Sequence, residues 1–271
     1  MPSFTYSLNS STIRPTPILE KIAIAGRTGY GAIELWHDDI DLHLLAGGTL
    51  AEIRKAVEDN GLEVPTTIFL KGWWDTTGEE YEQEIDEIRR RLEQSVAVGA
   101  AYAIGGPPLE SVDFELGGRQ YGRLLEIGRE FGVKPIMEFL GFADEVNSIE
   151  AALRVMEGSN DPDATTVLDP FHIYRGGGDV ESIAKLTASQ IAISHFNDCI
   201  DTKPREEQHD PDRVMPGDGI FDLARYCQLL TEIGYDGWLS LELFREDLWA
   251  RDPEDVAREG LEKMRSVAEA S

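Results

Sequence analysis

The chain has 271 residues, 41% of them hydrophobic, which is enough for a large core and too apolar for a disordered polymer. Asp and Glu number 51 against 25 Lys and Arg, and the formal charge of -26 repels phosphate backbones and anionic membrane surfaces. Nucleic acid and membranes are thereby excluded as main partners, and no apolar run approaches the roughly 20 residues of a membrane span.

The amino-terminal stretch from Met1 to Ser7 lacks the basic start and apolar core of a secretion signal, so a cytoplasmic protein is expected. Cys199 and Cys227 are too few for a disulfide framework or a thiolate metal cage, and are expected as reduced thiols. The acidic, lysine-poor surface suits a salty cytoplasm.

Taken in order, the chain alternates strand and helix. A short strand at Phe4 to Leu8 precedes a helical pattern from Pro17 that Gly29 stops. Ala32 to Trp36 is the second strand. Thr49 and Glu52 form a capping box for a helix ended by Asn60-Gly61, and Leu62 to Leu70 is the third strand. Tyr81, Ile85, Ile88, Leu92 and Val96 have helical spacing within 77–98. Ala101 to Ile104 is the fourth strand, Gly117 to Phe131 a helix, Val133 to Phe139 the fifth strand and Val146 to Met156 another helix. Ala164 to Leu168 is the sixth strand, Val180 to Leu186 a short helix, and Ile191 to Phe196 the seventh strand. A helix from Phe221 to Ile233, the eighth strand from Trp238 to Leu243 and a helix from Pro253 to Val267 complete the series.

Eight strand-helix units with no domain-scale linker predict an α/β fold, a (β/α)₈ barrel spanning 1–271 as one domain. An open doubly wound sheet would want a glycine-rich phosphate turn, and no G-x-G-x-x-G follows the first or second strand.

The barrel gives the strand ends a meaning, because active sites of this fold sit on the rim where the strands finish. The last four strands end in Glu138, Asp169, His195 and Glu242. Three carboxylates converging without a cation would repel one another and take up protons, so one divalent metal ion is the expected cofactor. Oxygen ligands with one imidazole favour Mn²⁺, with Mg²⁺, Co²⁺ and Zn²⁺ compatible.

Around this centre, His172 lies three residues after Asp169, within reach of a substrate oxygen. The long connection from Asn197 to Gly219 is a candidate lid carrying Arg213, which could clamp a carbonyl or hydroxyl oxygen. Lys71, Trp73 and Trp74 follow the third strand and Trp36-His37 the second. Aromatic walls with a few polar groups suit a sugar or cyclitol. Glu34 sits inside the second strand, where either support or chemistry is open to it.

The motif series Met137-Glu138-Phe139-Leu140-Gly141, Val167-Leu168-Asp169-Pro170-Phe171-His172, His195-Phe196-Asn197-Asp198, Asp212 to Gly219 and Ser240-Leu241-Glu242-Leu243-Phe244-Arg245 resembles the xylose isomerase-like sugar phosphate isomerase/epimerase superfamily. Within it the likeness is to the inosose (2-keto-myo-inositol) isomerase branch. The resemblance is loose over the whole chain and close over 134–245. It implies that Glu138, Asp169, His195 and Glu242 are metal ligands and that His172 and Arg213 contact substrate. It also implies proton transfer beside a carbonyl through a metal-stabilised enediolate, with Glu138 and Glu242 as acid and base.

The related apurinic endonucleases need additional histidines for a multi-metal cluster. Here Val214 follows Arg213 where that branch has a histidine, and the third and fourth strands supply none. The 3-dehydroshikimate dehydratases are a nearer alternative, since Ile33-Glu34-Leu35-Trp36 is reminiscent of them. A non-catalytic sugar-binding barrel is the alternative of another class, and the intact ligand set speaks against it. The barrel's outer helices leave room for homo-oligomers.

Overall fold

The protein is described by a computed structural model covering residues 4–270; Met1 to Ser3 of the amino-terminal stretch read above lie outside the described residues. Ten strands occur among them: β1 (Thr5–Asn9), β2 (Ala32–Trp36), β3 (Val64–Leu70), β4 (Ala100–Gly105), β5 (Lys134–Met137), β6 (Thr166–Leu168), β7 (Ile191–His195), β8 (Asp198–Cys199), β9 (Arg213–Val214) and β10 (Trp238–Leu241). All but β8 and β9 are parallel and close into a barrel in the order β1-β10-β7-β6-β5-β4-β3-β2. The seam is a true pairing, Thr5 opposite Trp238 and Leu8 opposite Leu241. No helix among the described residues is long and apolar enough to cross a membrane.

The helices are α1 (Ile18–Thr28), α2 (His37–Leu45), α3 (Leu50–Asp59), α4 (Gly78–Val98), α5 (Phe114–Phe131), α6 (Ile149–Gly158), α7 (Pro170–Arg175), α8 (Leu223–Glu232), α9 (Glu246–Trp249) and α10 (Pro253–Ala268). The Thr49 capping box forms, with Thr49 accepting from the Glu52 amide and Glu52 accepting from the Thr49 amide at 2.7 Å. Three expectations need correction. The helix expected to begin at Gly117 starts at Phe114, because Asp113 accepts from the amides of Glu115 and Leu116 and caps the first turn. Residues Val180–Lys185 form a 3-10 turn rather than an α-helix, and α7 supplies the helix between β6 and β7. Also, α2 follows β2 directly, a helix that the strand-helix series above does not include.

Two apolar layers hold the barrel. Ile68, Ile104, Ile136, Val167, Ala192 and Ile193 fill its interior, and a larger cluster lies between strands and helices. Gly118 permits a close helix-helix contact: a Cβ there would stand 2.6 Å from the Gly158 carbonyl carbon, so α5 and α6 approach backbone to backbone. Elsewhere in the barrel interior the lining is polar, with Glu34, Thr66 and Ser240 all fully buried.

At a net charge of -26 the surface repels itself, and exposed pairs such as Lys55–Asp59 and Arg27–Glu254 offset little of that. Screening shortens from about 10 Å at 0.1 M salt to about 3 Å at 1 M. The melting temperature is therefore expected to rise between 0.1 and 2 M KCl in a thermal scan; a fall would contradict the reading of the acidic surface.

Candidate active site

At the carboxyl ends of β5, β6, β7 and β10, Glu138, Asp169, His195 and Glu242 are all buried, and each offers one ligand atom within 4.8 Å of the others. The fold delivers them by one device repeated four times. A short buried strand ends, and its last or next residue turns a polar side chain into the mouth.

His195 is central. Its Nδ1 lies 3.0 Å from Glu242 Oε2 and 3.5 Å from both Glu138 Oε1 and Asp169 Oδ2. Its Nε2 faces Glu34 Oε1 at 3.4 Å on the opposite side. Glu34 also accepts from Asn9 Nδ2 at 3.1 Å and from the hydroxyls of Thr66 and Ser240. Burial works to raise the Glu34 pKa, and His195 and these donors outweigh it, holding the carboxyl below its usual range. Glu34 thus supports the ligand histidine from below, the carboxylate-histidine arrangement that fixes ring orientation.

Burial opposes charge on His195, but Glu242 and Glu34 outweigh it and hold its pKa well above the usual value. Glu138 is pushed up to about 8, first by burial and then by Glu242 and Asp169, against the lowering effect of His195. For Asp169 burial is outweighed by Arg213, His172 and His195, and its pKa falls well below the carboxylate range.

Arg213 is buried at 1% exposure despite lying in the long connection after β7. The strand pair β8 and β9 puts it there, Cys199 standing opposite Arg213 in antiparallel register. The Asp198 carboxylate pins the returning chain by accepting from the amides of Gly217 at 3.1 Å and Phe221 at 2.9 Å. The guanidinium lies 3.1 Å from Asp169 Oδ2 and 3.1 Å from Asp210 Oδ1, bonds Glu242 Oε2, and packs over the rings of Phe171 and Phe244. Arg213 Nη2 is 3.0 Å from His172 Nε2, while the Gly141 amide donates to His172 Nδ1 at 3.1 Å. Burial, assisted by Arg213, lowers the His172 pKa to about 4, so its ring is neutral and carries one N–H. That ring meets an N–H donor on each nitrogen, so one contact has no acceptor between its partners. A substrate oxygen there would accept from both side chains.

Glu138, His172, Asp210, Arg213 and Glu242 border a cavity of about 130 Å³ whose other walls are Trp36, Ile68, Phe69, Leu140, Phe142 and Phe244. Trp36 therefore stands where the sequence suggested. Trp73 does not: it is 1% exposed and packs against Trp74 and Tyr121 in the outer core. Lys71 is exposed past β3 and does not border the cavity. Phe69, Phe142 and Phe244 supply the aromatic surface instead; sequence reasoning passed over them, although Phe142 and Phe244 follow the strand-end residues Glu138 and Glu242 closely.

His37, next to Trp36, turns away and lies 2.8 Å from Gln94 Oε1 through Nδ1. Burial lowers its pKa from the ordinary 6.5 to about 4. The unfolded chain binds the proton more readily between those values, so stability is full above pH 6.5 and is lost as pH falls toward 4. His37→Gln is expected to make the loss between pH 7 and pH 5 shallower by about 2 kcal/mol, read from urea unfolding at both pH values.

Sequence reasoning also missed Asn9, at the end of β1. The strand-end rule that found the four ligands, extended to the first strand, would have found it.

The residues fit a divalent cation. Asp169 Oδ2 and both ring nitrogens of His195 are buried without a hydrogen-bond partner, and three hard oxygen donors with one imidazole suit such an ion.

Comparison with known proteins agrees with this geometry. A family model described as xylose isomerase-like TIM barrel matches residues 22–267. An inosose isomerase of Halalkalibacterium halodurans is 26% identical over 257 residues, covering 92% of this chain and 90% of the relative. A 3-dehydroshikimate dehydratase of Pseudomonas aeruginosa is 26% identical over 260 residues, 90% of this chain but 39% of that protein. Among solved structures, that of the IolI protein with a bound zinc atom matches with a TM-score of 0.91 at 23% identity, covering 98% of each chain, a likeness of fold. A closed eight-stranded barrel with this rim, matched by the model over most of its length, belongs to the xylose isomerase-like TIM barrel family.

Proposed function

We propose that the protein is a cytoplasmic, divalent-metal-dependent isomerase or epimerase of a neutral keto-cyclitol or keto-sugar, of the inosose type, with Mn²⁺ as the working ion. The observation that carries this reading is the buried convergence of Glu138, Asp169, His195 and Glu242 within 4.8 Å on one side of the mouth. The inosose isomerase relatives and the zinc in the IolI structure support it.

In this reading the four residues hold the ion, which supplies Lewis-acid polarisation of the substrate's carbonyl and the adjacent hydroxyl. Glu138 and Glu242 carry the proton between neighbouring carbons. They come from β5 and β10, separated around the rim by β6 and β7. Arg213 and His172 donate to a substrate oxygen, and Trp36 offers its ring to the C–H face of a cyclitol. The aromatic walls exclude water from the transferred proton.

The dehydratase reading is less well supported. Arg213 is the one cationic Arg or Lys side chain among the described residues bordering the cavity, and Asp169, Glu242 and Asp210 already pair with it. A keto-acid's carboxylate would find no unpaired cation.

The deciding experiment is proton NMR in D₂O with 2-keto-myo-inositol, ketohexoses and 3-dehydroshikimate. Deuterium entering beside a carbonyl with all oxygens retained is the expected result. Water loss with a new vinyl signal would move the assignment to a dehydratase, and silence across the panel would overturn the isomerase reading.

A further inference from the structure

Asn9 is fully buried at the end of β1, and its carboxamide uses every hydrogen-bonding position it has. Nδ2 donates to Glu34 Oε1 and to Glu242 Oε1, both at 3.1 Å. Oδ1 accepts from Trp36 Nε1 at 2.9 Å and from the Ser11 amide at 3.0 Å. One orientation alone is satisfied: turning the amide over would set its NH₂ against two N–H donors and its carbonyl against two carboxylates.

This side chain therefore joins the two halves of the site. On one side is Glu242, with Oε1 held by Asn9 while Oε2 faces His195 and Arg213. On the other is Trp36, whose ring meets Phe244 edge-on at 5.8 Å; Phe244 in turn lies under the Arg213 guanidinium. Asn9, Trp36, Phe244, Arg213 and Glu242 form a closed circuit of contacts. The donor holding Glu242 is neutral, so it fixes the carboxylate's orientation without adding a positive charge that would compete with a cation for it.

We infer that Asn9 is a positioning residue that locks Glu242 and Trp36 to one another, so that the carboxylate's orientation and the aromatic wall of the cavity are set together. The kinetic consequence rests on the reading of Glu242 as ligand and proton carrier; the coupling between the two side chains does not.

Both parts are testable on the purified full chain. The five tryptophans give five indole ¹H–¹⁵N signals, and loss of one in Trp36→Phe assigns Trp36. Glu242→Gln is expected to displace the Trp36 signal in an otherwise native chain, and not in an Asn9→Leu background. Asn9→Asp keeps an oxygen for Trp36 and replaces the donor to Glu242 with a carboxylate, so the signal should persist while its response to Glu242→Gln disappears. This nearly isosteric variant also covers the case in which Asn9→Leu does not fold. Kinetically, the Asn9 variants should lower kcat about 10–100-fold with KM within about threefold, because an orientation is lost rather than a binding contact.

A Trp36 signal indifferent to Glu242→Gln in the native background, or a folded Asn9 variant with native kcat, would overturn the inference. If no chain turns over any substrate of the panel, the isomerase reading fails, and the indole coupling by itself decides the role of Asn9.

Discussion

Glu242→Gln is expected to lower kcat by about 10²–10⁴-fold, the range that a positioned acid or base contributes, while the protein still binds a divalent ion. The substitution preserves the side chain's shape and one acceptor oxygen for Asn9, which donates to it at 3.1 Å, but an amide oxygen accepts less strongly than a carboxylate, so that bond weakens rather than breaks. What is lost is the second oxygen, the one facing His195 Nδ1 and the Arg213 guanidinium. An amide NH₂ there opposes donors and takes up no proton. Glu138, Asp169 and His195 remain as ligands and the amide keeps one oxygen, so the affinity for Mn²⁺ should weaken without being lost. Steady-state rates at saturating Mn²⁺, read beside calorimetric titration of the ion, separate the two effects. Native rates in this variant would remove Glu242 from the proton path. If the loss of rate were fully restored by excess Mn²⁺, Glu242 would be a ligand and nothing more.

The sequence made the barrel and the four rim residues legible for the same reason: each depends on local order along one short segment. An apolar run of strand length followed by Glu, Asp or His states both the element and where its polar end must lie, and β5, β6, β7 and β10 all have that form. Features that depend on what lies across the barrel were not legible. Nothing near Trp73 tells that its ring faces Tyr121 and the outer core rather than the mouth. Glu34 looks like any charged residue within a strand, and becomes a support for His195 only when β2 and β7 stand across one interior. Asn9 gains its partners from residues 25 and 233 positions away. The burial of Arg213 follows from the β8–β9 pair, two residues on each strand, too short to leave a periodic trace.

Loading the site is expected to raise the melting temperature substantially. An ion that binds the folded chain alone stabilises it by about 4 kcal/mol at a free concentration 1,000 times its Kd. For a chain of this size each kcal/mol corresponds to about 2–4 °C, so a rise of roughly 8–16 °C should appear on adding excess Mn²⁺ to chelator-treated protein. Asp169→Ala removes a ligand whose Oδ2 is buried without a hydrogen-bond partner, and it should abolish most of the rise. The effect should also depend on pH in a fixed direction. Glu138 holds its proton up to about pH 8, chiefly through burial, and must release it to act as a ligand. Affinity should therefore fall as pH drops below 8, by about tenfold per unit for the Glu138 proton and more where His195 must give up its own, and binding should release protons that calorimetry in buffers of different ionisation enthalpy would count. Zn²⁺ binds nitrogen and oxygen sites more tightly than Mn²⁺ in general, so the ion found after purification does not identify the one that works. Rates with each ion on the same chelator-treated protein do. No thermal shift with Mn²⁺, Mg²⁺, Co²⁺ or Zn²⁺ would leave the buried carboxylates without the cation that their convergence calls for, and would overturn the metal-dependent reading itself.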